Sequence, residues 1–121
     1  MTPAATRARL DRSLVTRGED ITLRRRIGSG STFVSITCRA RVRGYEPHEL
    51  SGGIVQGDSK VIMSPSSILA NTSVWPGAAG GDVYPKLNDQ IIARGRLRNV
   101  QAAETTLEDS QPVRIDLTVR G

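Results

Sequence analysis

Between Pro112 and Gly121, Val113, Ile115, Leu117 and Val119 alternate without interruption with Arg114, Asp116, Thr118 and Arg120. Successive side chains of a strand point to opposite faces, so a period of two demands a strand with one apolar and one wet face. The same pattern recurs at Val34, Ile36, Cys38, Ala40 and Val42, interleaved with Ser35, Thr37, Arg39, Arg41 and Arg43. A half-buried strand needs neighbours on both edges and a core beneath it. Two such strands bracketing the chain are expected to share one sheet or barrel.

The residues before and between them supply the remaining elements. Thr2 as N-cap and Pro3 at the first helical position predict a helix running to Arg17, with Gly18 as its stop. Leu10 and Leu14 form its narrow apolar stripe, expected to lie on something, such as a neighbouring subunit. Ile21, Leu23 and Arg25 then share one strand face, with Thr22 and Arg24 on the other. Gly28-Ser29-Gly30-Ser31 is a turn and not a phosphate loop, because no Gly-Lys-Ser/Thr and no helix follow it. Residues 44–57 lose the alternation, and Gly52, Gly53 and Gly57 leave a pliable loop of a length usually tied to function. Lys60 to Met63 is a short strand. Ser64-Pro65 caps a short helix from Ser66 to Ala70. Residues 71–88, punctuated by Trp75-Pro76-Gly77, Gly80-Gly81 and Tyr84-Pro85, form a loop or extended arm. Gln90 to Arg94, a tight turn at Gly95, Leu97 to Thr106, a polar turn from Leu107 to Gln111 and the final strand make a meander. The expected fold is mainly β: a small six-stranded β-barrel spanning 20–121, with an N-terminal helical arm (1–19), a long loop and a short inserted helix.

A chain of 121 residues with four aromatic residues, Phe33, Tyr45, Trp75 and Tyr84, must build its core from aliphatic side chains. No apolar run approaches the length of a membrane span, and no signal-peptide stretch opens the sequence. Cys38 is alone and falls on the apolar face of its strand, so it is expected to be a buried hydrophobe in a reducing compartment. The net charge of +5 is uneven: residues 1–43 hold ten Arg and three acids, whereas 44–121 hold seven bases and nine acids. Fifteen of the seventeen bases are Arg, the residue suited to carboxylate or phosphate partners and to interfaces. No Cys/His cluster has metal spacing, and neither metal nor cofactor is expected. His48 between Glu46 and Glu49 could be drawn as a base oriented by a carboxylate, but a solvated loop tip explains it more simply. An enzyme is not expected.

The run from Ala40 to Pro65, with Gly57-Asp58 before a strand and Ser64-Pro65 after it, is followed by Trp75-Pro76, Asp89-Gln90-Ile91, Gly95, Asn99-Val100 and the terminal strand. This ordered set resembles phage head–tail joining proteins, the head-closure, stopper or connector proteins with relatives in gene transfer agents. The resemblance covers residues 20–121. It implies a virion protein of the neck, assembled in the bacterial host cytoplasm as a ring, a hexamer or dodecamer. Its neighbours would be a portal or adaptor protein on the head side and a tail terminator or tail protein beyond. Double-stranded DNA would pass without base readout, with no membrane involved. It places Tyr45, Glu46, Pro47, His48, Glu49, Leu50, Ile54 and Val55 in a channel or gating loop. Arg24, Arg25, Arg26, Trp75 and Tyr84, together with Arg7, Arg9, Leu10 and Leu14 of the helix outside the resemblance, are expected to meet a neighbouring subunit or partner. The alternative from a different class is a small basic β-barrel that binds nucleic acid. Oligonucleotide-binding barrels stack bases on strand aromatics, and here only Phe33 lies on an expected strand.

Overall fold

The computed structural model describes residues 2–44 and 57–121. Six strands close into a barrel: β1 (Glu19–Arg26), β2 (Phe33–Gly44), β3 (Ser59–Met63), β4 (Gln90–Ala93), β5 (Arg96–Glu108) and β6 (Gln111–Arg120). Around the barrel the order is β1-β2-β3-β6-β5-β4, every neighbour antiparallel. Closure leaves no edge along the shared length of the strands, which removes the main aggregation hazard of a sheet. The alternation seen in the sequence becomes the inside and outside of the barrel: Val113, Ile115, Leu117 and Val119 are buried, as are Ile36, Cys38, Ala40 and Val42. Ile21, Leu23, Val61, Met63, Ile91, Ala93 and Val100 complete the inner wall, and Ile68 and Trp75 plug it from outside the strands.

Two hairpins are tighter than a polar loop. Arg94 and Gly95 join β4 to β5 with φ of 54° and 73°, and Asp109 and Ser110 join β5 to β6 with φ of 51° and 64°. Two central residues with positive φ are the requirement of the I′ hairpin, whose twist matches that of the strands. The expected turn over Leu107 to Gln111 is therefore only two residues wide, and β5 and β6 run up to it on either side.

The strands differ greatly in length, and this shapes one end of the barrel. β3 pairs with β2 only over Ala40–Gly44 and with β6 only over Ile115–Val119. β4 pairs with β5 only from Arg96 to Asn99. Three segments therefore overhang: Phe33–Arg39 of β2, Gln111–Arg114 of β6, and Gln101–Glu108 of β5. Helix α2 (Pro65–Leu69) and a single 3-10 turn (Gly77–Ala79) pack against β2, and helix α1 (Pro3–Arg17) packs against β6 and β2.

The N-terminal helix is thus part of the molecule's own packing. Thr2 caps it by accepting a hydrogen bond from the Ala5 N–H at 3.1 Å, and Leu14 is buried. Arg39 reaches across from β2 to donate to the Leu14 and Val15 carbonyls at 2.8 and 3.1 Å, which neutralises the negative end of the helix. Ser66 of α2 donates to Asp11 at 2.7 Å. Where the helix turns into β1 the backbone is tight: a Cβ on Gly18 would lie 2.5 Å from the Leu14 oxygen and 2.9 Å from the Ala40 oxygen. Gly18→Ala is expected to destabilise the fold by about 1–3 kcal/mol, read as a drop of several degrees in the thermal midpoint.

Cys38 lies inside the wall at 1% exposure, and burial pushes its thiol up to about 12 from an ordinary 9.0. Above pH 9 the unfolded chain releases this proton and the folded chain keeps it. The unfolded state then binds fewer protons, so stability falls with rising pH, by about 1.4 kcal/mol per unit until the folded thiol itself ionises near 12. Denaturant midpoints measured between pH 9 and 10.5 should fall faster for the parent than for Cys38→Ala.

Candidate interaction surfaces

The three consecutive arginines of β1 are sent to different places by the strand's period of two. Arg25 points inward with Ile21 and Leu23 and is buried. A guanidinium in that position needs every donor satisfied, because an unpaired buried charge is prohibitively costly. Its Nε and Nη2 donate to Asp89 Oδ1 and Oδ2, both at 2.8 Å, a bidentate pair with a side chain that is itself 2% exposed. The remaining donors go to the carbonyl oxygens of Gly80, Asp82 and Tyr84, and the guanidinium lies 4.7 Å from the Trp75 ring centroid. Trp75 in turn donates from Nε1 to the Val83 oxygen at 2.7 Å. Asp89 also accepts from the Lys86 N–H at 3.0 Å, and its own backbone joins β5 at Val100. The segment 75–89 is therefore wound around one guanidinium, and what the sequence suggested as an extended arm is fastened to the barrel.

This corrects part of the expected interface. Arg25, Trp75 and Leu14, expected to meet a neighbour, are all buried within the chain and have no surface to offer. Tyr84 is half-buried against the core, with its carbonyl held by Arg25. The outward arginines behave differently. Arg24 and Arg26 lie on the wet face of β1, with their guanidinium carbons 3.9 and 5.4 Å from the Phe33 ring centroid. Arg24 also donates to Gln90 at 2.7 Å. On α1, Arg9 is exposed, and Arg7 and Leu10 are partly so.

At the opposite end of the barrel, β2 stops and β3 begins in register, Gly44 facing Ser59. This end carries an arginine rim. Arg94 donates to both oxygens of Glu19 at 3.0–3.2 Å and to the Val42 oxygen at 3.1 Å, an anchor for a left-handed residue. Arg120 grips Asp58 through Nε at 2.8 Å and Nη2 at 3.0 Å, and that hydrogen-bonded pairing holds the guanidinium's pKa above its ordinary value. Arg98 donates to the Ser59 hydroxyl at 2.9 Å, while its buried Nε finds no partner among the described residues. The expected gating residues Tyr45, Glu46, Pro47, His48, Glu49, Leu50, Ile54 and Val55 lie outside the described residues. Among the described residues no group of three His, Cys, Asp or Glu side chains could hold a metal ion, and no helix is long and apolar enough to cross a membrane.

Asp58 and Asp89, which the sequence marks only as parts of motifs, are each buried, and each anchors an arginine. Their position immediately before β3 and β4 was the available signal: an acid at a strand start beside apolar residues must be paired once it is buried. Arg25→Met strands the Asp89 carboxylate and releases three carbonyls, and is expected to cost about 3–5 kcal/mol. Arg25→Met with Asp89→Leu should be less destabilising than the two single losses combined, measured by denaturant unfolding as a double-mutant cycle. A search against protein-family models gives no match, and a search of curated proteins gives none either.

Proposed function

We propose that this chain is a structural subunit of a virion neck. In this reading, copies form a ring between the portal side of a capsid and the tail of a phage or gene transfer agent. The ring closes the DNA channel after packaging and presents the tail attachment surface. The observation that carries the reading is that the barrel is complete without residues 45–56. β2 and β3 pair up to Gly44 and Ser59, and a hairpin needs only about 2–5 connecting residues. The connection is therefore longer than the pairing requires, and it is rooted on a barrel end ringed by Arg94, Arg98 and Arg120. A long connection on a rigid frame is where function concentrates.

The order of motif residues supports the same reading, because each does structural work here. Asp58 and Asp89 anchor arginines, Trp75 plugs the wall, Gly95 forms an I′ hairpin and Val100 joins Asp89. The nucleic-acid alternative is weakened by Phe33. A stacking platform needs an open ring face, and Arg24 and Arg26 both lie against this one.

Replacing residues 45–56 by a short Gly-Ser turn should leave a folded barrel, checked by circular dichroism. Particles assembled with that variant should lose packaged DNA or fail to accept tails. Full DNA retention with normal tail joining would overturn the gating role.

A further inference from the structure

Among the described residues, α1, α2 and the 3-10 turn pack against β2 and β6, whereas no helix packs comparably against β5. Segment 86–89 bonds to Val100 of β5, Asn88 donating to its oxygen at 3.2 Å and Asp89 accepting from its N–H at 2.8 Å. Past Val100, the side of β5 that faced β4 makes no further backbone hydrogen bond among the described residues. Ala102, Ala103, Glu104 and Thr106 are exposed, and Leu107 is 59% exposed. An exposed segment of small and apolar side chains leaves room for another chain to approach closely.

The charge on this hairpin says which chain. Residues 101–112 hold three acids, Glu104, Glu108 and Asp109, and no base, in a chain of net charge +5. Glu104 faces Asp116 directly across the register, and Asp116 is already held by Arg114 at 2.9 Å. Glu108 is held by the Thr6 hydroxyl at 3.0 Å, which leaves Glu104 and Asp109 as the acids on offer. In the strand order, β5 stands across the barrel from β2. The outer face of β1 and β2, at the same end as the hairpin, carries Arg24 and Arg26 around Phe33, beside exposed Ser35 and Thr37. An acidic edge and a basic face on opposite sides of one molecule are complementary between copies related by rotation, the arrangement of a head-to-tail ring.

We propose that the occupant of the β5 edge is a second copy of this chain. Gln101–Glu108 of one subunit docks on the Arg24/Arg26 face of the next, so that copies join head to tail. This rests on the ring reading and supplies its lateral contact.

The test is a charge swap on the purified full chain. One variant carries Glu104→Arg and Asp109→Arg, the other Arg24→Glu and Arg26→Glu, each checked for an unchanged fold by circular dichroism. Native mass spectrometry and sedimentation should show the parent associating at low salt and dissociating as salt rises. Each variant alone brings like charges together and should associate about tenfold or more weakly. An equimolar mixture makes every contact complementary again and should restore assembly with the variants alternating. A parent that stays monomeric at low salt, variants that associate like the parent, or a mixture that restores nothing would overturn the proposal. An oligomer indifferent to these four substitutions would remove this contact while leaving the neck reading, which the particle experiment tests separately.

Discussion

The Arg25–Asp89 pair is the interaction on which the rest of this molecule depends. A charge inside a barrel wall is tolerated only when its donors are all engaged. Arg25 meets that demand by drawing in one carboxylate and three carbonyl oxygens from residues 80–89. Without it, a stretch punctuated by Gly77, Gly80, Gly81 and Pro85 has little reason to hold one path. With it, Trp75 is delivered to the core, the 3-10 turn lies against β2, and β4 begins in the right place beside Asp89. The pair acts as an organiser of backbone, a role an apolar substitute of equal volume could not fill.

A second constraint is geometric. A barrel closed by strands of four, five, eight, ten, twelve and thirteen residues cannot end flush. The overhangs expose backbone edges, and α1, α2 and the 75–89 segment answer two of them. The third, on β5, is exposed and acidic among the described residues. Among the described residues it is the overhang that no helix covers, which is the ground for proposing it as an interface.

The two ends of the barrel thus carry different assets. One end presents the arginine rim and the strand termini between which residues 45–56 run. The other presents the overhanging hairpin and, across the barrel, the Arg24/Arg26 face. In the proposed ring, this separation would keep the channel end apart from the lateral joints.

Much of this was legible in the order of side chains. Alternation at 34–42 and 113–119 set those strands and the burial of Cys38, because a period of two admits no other regular structure. Thr2-Pro3 and Gly18 marked the first helix, and Gly95 marked a hairpin, since each residue type suits the backbone it occupies. The sequence could also say that Arg25, on an apolar face, needed a partner. It could not say that the partner was Asp89, sixty-four residues away, or that this pairing would bury Trp75 and turn an arm into a wall. Nor could it show that β4 reaches only as far as Asn99 of β5, because that depends on how the barrel closes. Local chemistry determined the elements; which charges met and how far β4 reached were decided by barrel closure, because pairing between distant residues exists only once the chain has brought them together.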